Sequence, residues 1–215
     1  MDFVVEQRSV ILEGFWMTLR LAALSGALSL VIGTVLAVMR VCPIPPLRWA
    51  GGVYVTLLRN TPLTLVFVFS TFGLPRLDIR LSFFAFAVVA LTVYTSAFVC
   101  EAVRSGINSV APGEIEAARS IGLSFGQTLR QVVLPQAFRA VIPPLSNVFI
   151  ALTKNTSIAV AFSVAEATSI LRRLQNQDAS ATFPLLITTA AGYLVLTLAI
   201  SFAFSRLERR VAVAR

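Results

Sequence analysis

Three stretches of this chain run without a single Asp, Glu, Lys or Arg for longer than a soluble fold requires. Leu21–Met39 covers 19 residues, Leu81–Cys100 covers 20 and Ala179–Ser205 covers 27. A helix needs about 20 mostly apolar residues to cross the hydrocarbon layer of a bilayer. No water is present there to satisfy backbone polar groups, so a spanning segment must be a helix or part of a closed barrel. Runs of this length read as helices. Two further apolar stretches, Asn60–Leu74 and Ala140–Ala165, are shorter or interrupted. The sequence thus predicts five spans, near 14–40, 55–75, 81–101, 138–165 and 182–205. The charged fraction agrees: it is 13% here, against about 25% in a typical soluble domain. The expected fold class is an all-α membrane protein, built as one transmembrane domain over residues 1–215.

The net charge of +8 does not point to nucleic acid, because the basic residues form no stripe. They sit between the apolar segments, where cytoplasmic loops hold the excess of Lys and Arg. With the N-terminus outside, 11 arginines fall on the cytoplasmic side (40, 48, 59, 104, 119, 130, 139, 206, 209, 210, 215) and five outside (8, 76, 80, 172, 173). An N-out, C-in topology follows, as an odd number of spans requires. Asp2 and Glu6 precede the first span and no small-residue cleavage site follows it, so that span reads as a retained anchor.

Ala, Gly, Ser and Thr are plentiful in the spans, as suits helices that pack closely in lipid. Histidine is absent and the only cysteines are Cys42 and Cys100, so no metal site and no cofactor is expected. The only lysine, Lys154, has no glycine-rich phosphate loop before it. Glu114 and Glu116, at i and i+2, point to different helix faces. Composition and motifs describe a conduit, not an enzyme.

The longest polar stretch, about 102–135, has helix signals throughout. Pro112 can open a helix, Glu114 and Glu116 suit its positive end, and Gly122 stands where a left-handed cap would fall. Ser124 and Gln127 have capping-box spacing for a second helix, Phe125–Val133, which Pro135 is expected to end. Two short helices joined by a glycine turn would suit docking on a soluble partner, or serve only as an interhelical loop.

Glu116-Ala117-Ala118, then Gly122, then Leu134-Pro135, resembles the "EAA" loop of permeases in ABC importers. Glu101-Ala-Val-Arg104-Ser-Gly106, Glu116-Ala-Ala-Arg119-Ser-Ile-Gly122, Leu134-Pro-Gln-Ala137, Lys154-Asn-Thr-Ser157 and Arg59-Asn-Thr-Pro62 together resemble the polar amino acid branch of that family. The resemblance extends from Thr18 to Arg210. It implies a type I importer permease in a bacterial inner membrane. The implied partners are a second, different permease subunit, separate ATP-binding cassette ATPase subunits and an extracytoplasmic amino-acid-binding protein. It further implies that Glu116, Ala117, Ala118, Arg119 and Gly122 form the ATPase-coupling surface. The chain has Asn155 where the family pattern has Asp, a variant similar to the glutamate-uptake branch.

Polar residues at membrane depth usually face a cavity or a partner. Arg59, Asn60, Thr61, Asn147, Lys154, Asn155, Thr156 and Ser157 are therefore candidates for the pathway, with Thr153 beside them. The other reading is bracing, with Lys154 paired to Glu101 or Glu166 and Arg59 reaching to the interface. Pro143 and Pro144 are expected to break or kink the fourth span. The competing classes are an ion-coupled secondary carrier, which needs no docking loop, and a membrane scaffold with no transport role.

Overall fold

The computed structural model describes residues 2–211, which are almost entirely helical. A short N-terminal helix, α1 (Asp2–Glu6), leads into α2 (Arg8–Val41). Pro45 and Pro46 open α3 (Pro45–Arg59), followed by α4 (Leu63–Val68), which continues as a π turn and a 3-10 turn to Leu77. Next come α5 (Phe83–Asn108), α6 (Pro112–Ser120) and α7 (Phe125–Thr128). A π turn, Leu129–Val133, then joins α7 to α8 (Leu134–Asn155). A 3-10 stretch, Thr156–Phe162, extends α8, and α9 (Ala167–Gln177) and α10 (Thr182–Val211) complete the chain.

Among the described residues, four helical segments are long and apolar enough to cross a membrane, and α3 with Leu63–Leu77 makes a fifth if the bent pair is one span. That pair corrects the expected continuous span at 55–75: its halves meet at 105°. Pro62 explains the break, since a residue before proline is pushed out of the helical region. Pro62 itself is extended, with ψ 135°.

At the centre lies α5, with 61% of its apolar window buried, against 6% for α10. Small residues let α2 approach it. A Cβ on Gly33 would stand 2.5 Å from Val99 Cβ and 2.8 Å from the Ser96 carbonyl oxygen, and the Ser29 hydroxyl donates to the Thr92 carbonyl at 3.2 Å. Leu21, Leu63, Phe67, Leu91, Leu152 and Phe162 form the main buried cluster. Phe67 and Phe162 stack there with centroids 5.0 Å apart.

Neither the expected helix stop at Pro135 nor a break at Pro143–Pro144 is found among the described residues. Pro135 does not end a helix but stands in the first turn of α8, where its missing N–H leaves nothing unpaired. The preceding π turn, closed from Leu134 N–H to the Leu129 carbonyl, brings it to that position. Pro143 and Pro144 lie inside α8 without breaking it. Membrane helices tolerate such prolines where packing holds them, and here Val141 seats against Gly106 while Ile142 is buried. A further element not expected from the apolar runs is α9, an amphipathic helix that buries Ala167, Ile170 and Leu174 and exposes Arg172 and Arg173.

Candidate functional site

The polar loop folds into a rigid elbow. Ala111, extended at ψ 132°, precedes Pro112 at the start of α6. At the other end the Leu123 N–H donates to the Ala118 carbonyl at 3.1 Å and the Gly122 N–H to the Arg119 carbonyl at 3.0 Å. These two bonds, with Gly122 at φ +88°, make a Schellman cap, which an L side chain at that position would strain. The capping box starts α7: Ser124 N–H donates to Gln127 Oε1 at 2.8 Å, and Gln127 N–H to Ser124 Oγ at 3.4 Å. Gln136 donates to Glu114, tying α6 to the root of α8. Close packing of α5 on α8 closes the base of the elbow, where a Cβ on Gly106 would meet Val141 Cγ2 at 2.1 Å and the Ala137 carbonyl oxygen at 2.9 Å.

Of the five residues expected on the coupling surface, Glu116, Ala117, Arg119 and Gly122 are exposed, while Ala118 is buried and faces inwards. Beside Gly122 stand two residues that the motif did not single out, Ile121 at 80% and Phe125 at 71% exposure. Large apolar side chains held out by a rigid turn, beside one acidic and one basic residue, suit a groove on another protein.

The pathway candidates separate. Asn147 and Asn155 line a groove of about 310 Å³ with Tyr94, Thr95 and Phe98, and the buried Thr95 hydroxyl has no hydrogen-bond partner. Arg59 and Asn60 line a second hollow nearby, at the ends of α2, α3 and α5. Asn60 and Thr61 use their side chains locally, donating to the Thr56 and Leu57 carbonyls at 2.7 and 2.8 Å. Thr156 is buried and its hydroxyl donates to the Thr153 carbonyl; Ser157 donates to the Lys154 carbonyl. Thr153 is buried against an apolar cavity between α2, α8 and α10. Lys154 is exposed, and among the described residues it pairs with neither Glu101 nor Glu166.

Both of those carboxylates are engaged elsewhere. Glu101 bonds to Arg40 and lies 3.6 Å from Arg59 and 3.4 Å from Arg104. Glu166, fully buried, caps α9 by accepting from the Thr168 and Ser169 N–H groups at 2.8 Å each, and accepts from the Tyr193 hydroxyl at 2.9 Å. Burial pushes the Glu166 carboxyl above the usual carboxylate range, and these bonds draw it partly back. The Glu166 cap on Thr168 and Ser169 and the Glu101–Arg104 contact are local, but spacing could not reveal the Arg40, Arg59 and Tyr193 contacts, because those residues come from distant helices.

Residues 14–213 match the family model described as "Binding-protein-dependent transport system inner membrane component". The chain is 41% identical over 215 residues to the glutamate transport system permease protein GluC of Corynebacterium glutamicum, covering 94% of each chain. It is 42% identical over 205 residues to the probable glutamine ABC transporter permease protein GlnM of Bacillus subtilis, again covering 94% of each. A crystal structure of an amino acid ABC transporter with histidines superposes with a TM-score of 0.89 at 32% identity, covering 98% of this chain and 99% of that one.

Proposed function

Because this chain belongs to the family of binding-protein-dependent transport system inner membrane components, and is thus a permease subunit of an ABC importer, we propose that it forms one wall of the route by which glutamate or glutamine is imported. ATP hydrolysis belongs to separate subunits, and a substrate-binding protein delivers the cargo. In this reading the N-terminus lies outside and the C-terminus inside, so the elbow of α6 and α7 projects into the cytoplasm. There the ATPase grips Glu116, Ala117, Arg119, Gly122, Ile121 and Phe125, and Ala118 seats the helix. A second permease subunit, different from this chain, completes the route.

The observation that carries this reading is the elbow: a locked turn, closed at its base by Gly106 and presenting Ile121 and Phe125 to solvent. A rigid element of this kind transmits motion between a soluble engine and the spans. For the substrate, support comes from the relatives named for glutamate and glutamine and from the groove. Asn155, neutral where the family pattern has Asp, leaves that wall without a carboxylate to repel an anionic amino acid.

Uptake tests the reading. In proteoliposomes holding the assembled transporter and its binding protein, radiolabelled glutamate or glutamine accumulates only with ATP, and arginine and histidine compete poorly. Accumulation driven by an ion gradient alone would overturn the importer assignment. Preferential uptake of arginine or histidine would overturn the substrate assignment.

A further inference from the structure

At the ends of α2, α3 and α5 three guanidinium groups converge on one carboxylate. Arg40 bonds to Glu101, Arg59 stands 3.6 Å from the same oxygen, and Arg104 stands 3.4 Å from the other. With Val55, Thr56 and Asn60 they line a polar hollow of about 410 Å³. Three positive groups against one negative leave two charges uncompensated, and among the described residues no other acidic side chain lies within 4.0 Å of them.

Bracing alone does not account for this arrangement. A charge-assisted bond from a guanidinium to a carboxylate runs at about 2.7–2.9 Å, and the Arg59 and Arg104 contacts are longer than that. Most of the N–H donors on these two residues are free of Glu101, and the buried Nε of Arg104 has no partner at all. Helix ends offset part of the charge, since Arg40 and Arg59 lie in the last turns of α2 and α3. Arg104 has no such help, being held inside the same cluster with its side chain 36% exposed.

We propose that this hollow is an oxyanion site, which receives a carboxylate or phosphate group on Arg59 and Arg104 while Arg40 remains bound to Glu101. Its position offers two sources of one chemistry. The Arg59 guanidinium lies 6.0 Å from the Phe98 ring, which also lines the groove of Asn147 and Asn155, so a carboxylate leaving that groove meets the hollow next. A basic pocket between membrane helices at the cytoplasmic surface also suits the phosphate of an anionic lipid. The first source rests on the amino acid reading above; the second does not.

The test uses the transporter assembled with its partner subunits in nanodiscs of neutral lipid, with thermal unfolding followed during titration by glutamate, phosphatidylglycerol or inorganic phosphate. A saturable rise in the unfolding midpoint is expected. Response to glutamate identifies the cargo carboxylate as the source, and response to phosphatidylglycerol identifies the lipid headgroup. Arg59→Gln or Arg104→Gln weakens that response about ten-fold, the worth of one hydrogen bond to a charged group. Glu101→Gln removes the competing carboxylate and strengthens it, an effect opposite in sign to that of a lost brace. If the arginine variants fail to assemble, Glu101→Gln decides alone: a tighter response supports the site, and an unchanged one overturns it. Absence of any response in the unsubstituted transporter also overturns it. Failed uptake of both glutamate and glutamine alongside a phosphatidylglycerol response would remove the substrate assignment and leave the oxyanion site standing.

Discussion

The elbow of α6 and α7 and the arginine cluster both adjoin the C-terminal end of α5 but are built by opposite rules. In the elbow the bonds that shape the turn are local: Pro112 opens α6, Gly122 turns it, and Ser124 and Gln127 cap each other, with only the Gln136–Glu114 bond reaching further. In the cluster, Arg40 and Glu101 are 61 positions apart and meet only because α2 packs along α5. The elbow holds its shape through backbone bonds and presents side chains outward. The cluster holds its charges through packing and keeps them partly inward. A local motif can be passed intact between proteins as a docking handle, whereas the cluster depends on the whole bundle.

The largest effect should come from the position on which both regions depend. Gly106→Val places methyl groups where Val141 and the Ala137 backbone already stand, so the roots of the elbow separate and the end of α5 shifts. Overpacking of this kind costs about 1–3 kcal/mol or more. The expected outcome is loss of ATP-driven uptake together with a lower unfolding midpoint. Normal uptake would show that the elbow does not rely on its base.

A smaller effect sharpens the contrast between the half-buried Glu101 and the fully buried Glu166. Glu101 is surrounded by guanidinium groups, but Glu166 has only neutral donors and is raised above the ordinary carboxylate range by burial. Its proton is held more tightly folded than unfolded. Stability from this group is therefore complete below the ordinary Glu value and declines as pH rises through the raised native value. In a pH series of unfolding midpoints, Glu166→Gln should flatten that decline. A slope unchanged by the substitution would assign the decline to other groups.

The same contrast explains what was legible in the sequence. Uncharged runs located the spans, and proline, glycine and capping signals located the elbow, because each acts over a few residues. The bend at Pro62 was signalled by Thr61-Pro62, but an apolar run on both sides made it look continuous. Pro135 and Pro143–Pro144 misled because proline alone does not reveal whether it stands in a first turn or is held by packing. Lys154 was assigned partners by charge, while the distances set by the fold give Glu101 to arginines and Glu166 to backbone donors. The outward position of Ile121 and Phe125 depends on which face of α6 Ala118 buries, and neither the nine residues of α6 nor the four of α7 are enough to show that by periodicity.

The central claim is that a separate ATPase holds the elbow by these exposed apolar residues. Co-purification of the ATPase subunit with membranes carrying Ile121→Asp or Phe125→Asp addresses it most directly. The account predicts that the ATPase is lost while the chain remains in the membrane at its normal level. Recovery of the ATPase at its usual stoichiometry from both variants would contradict it.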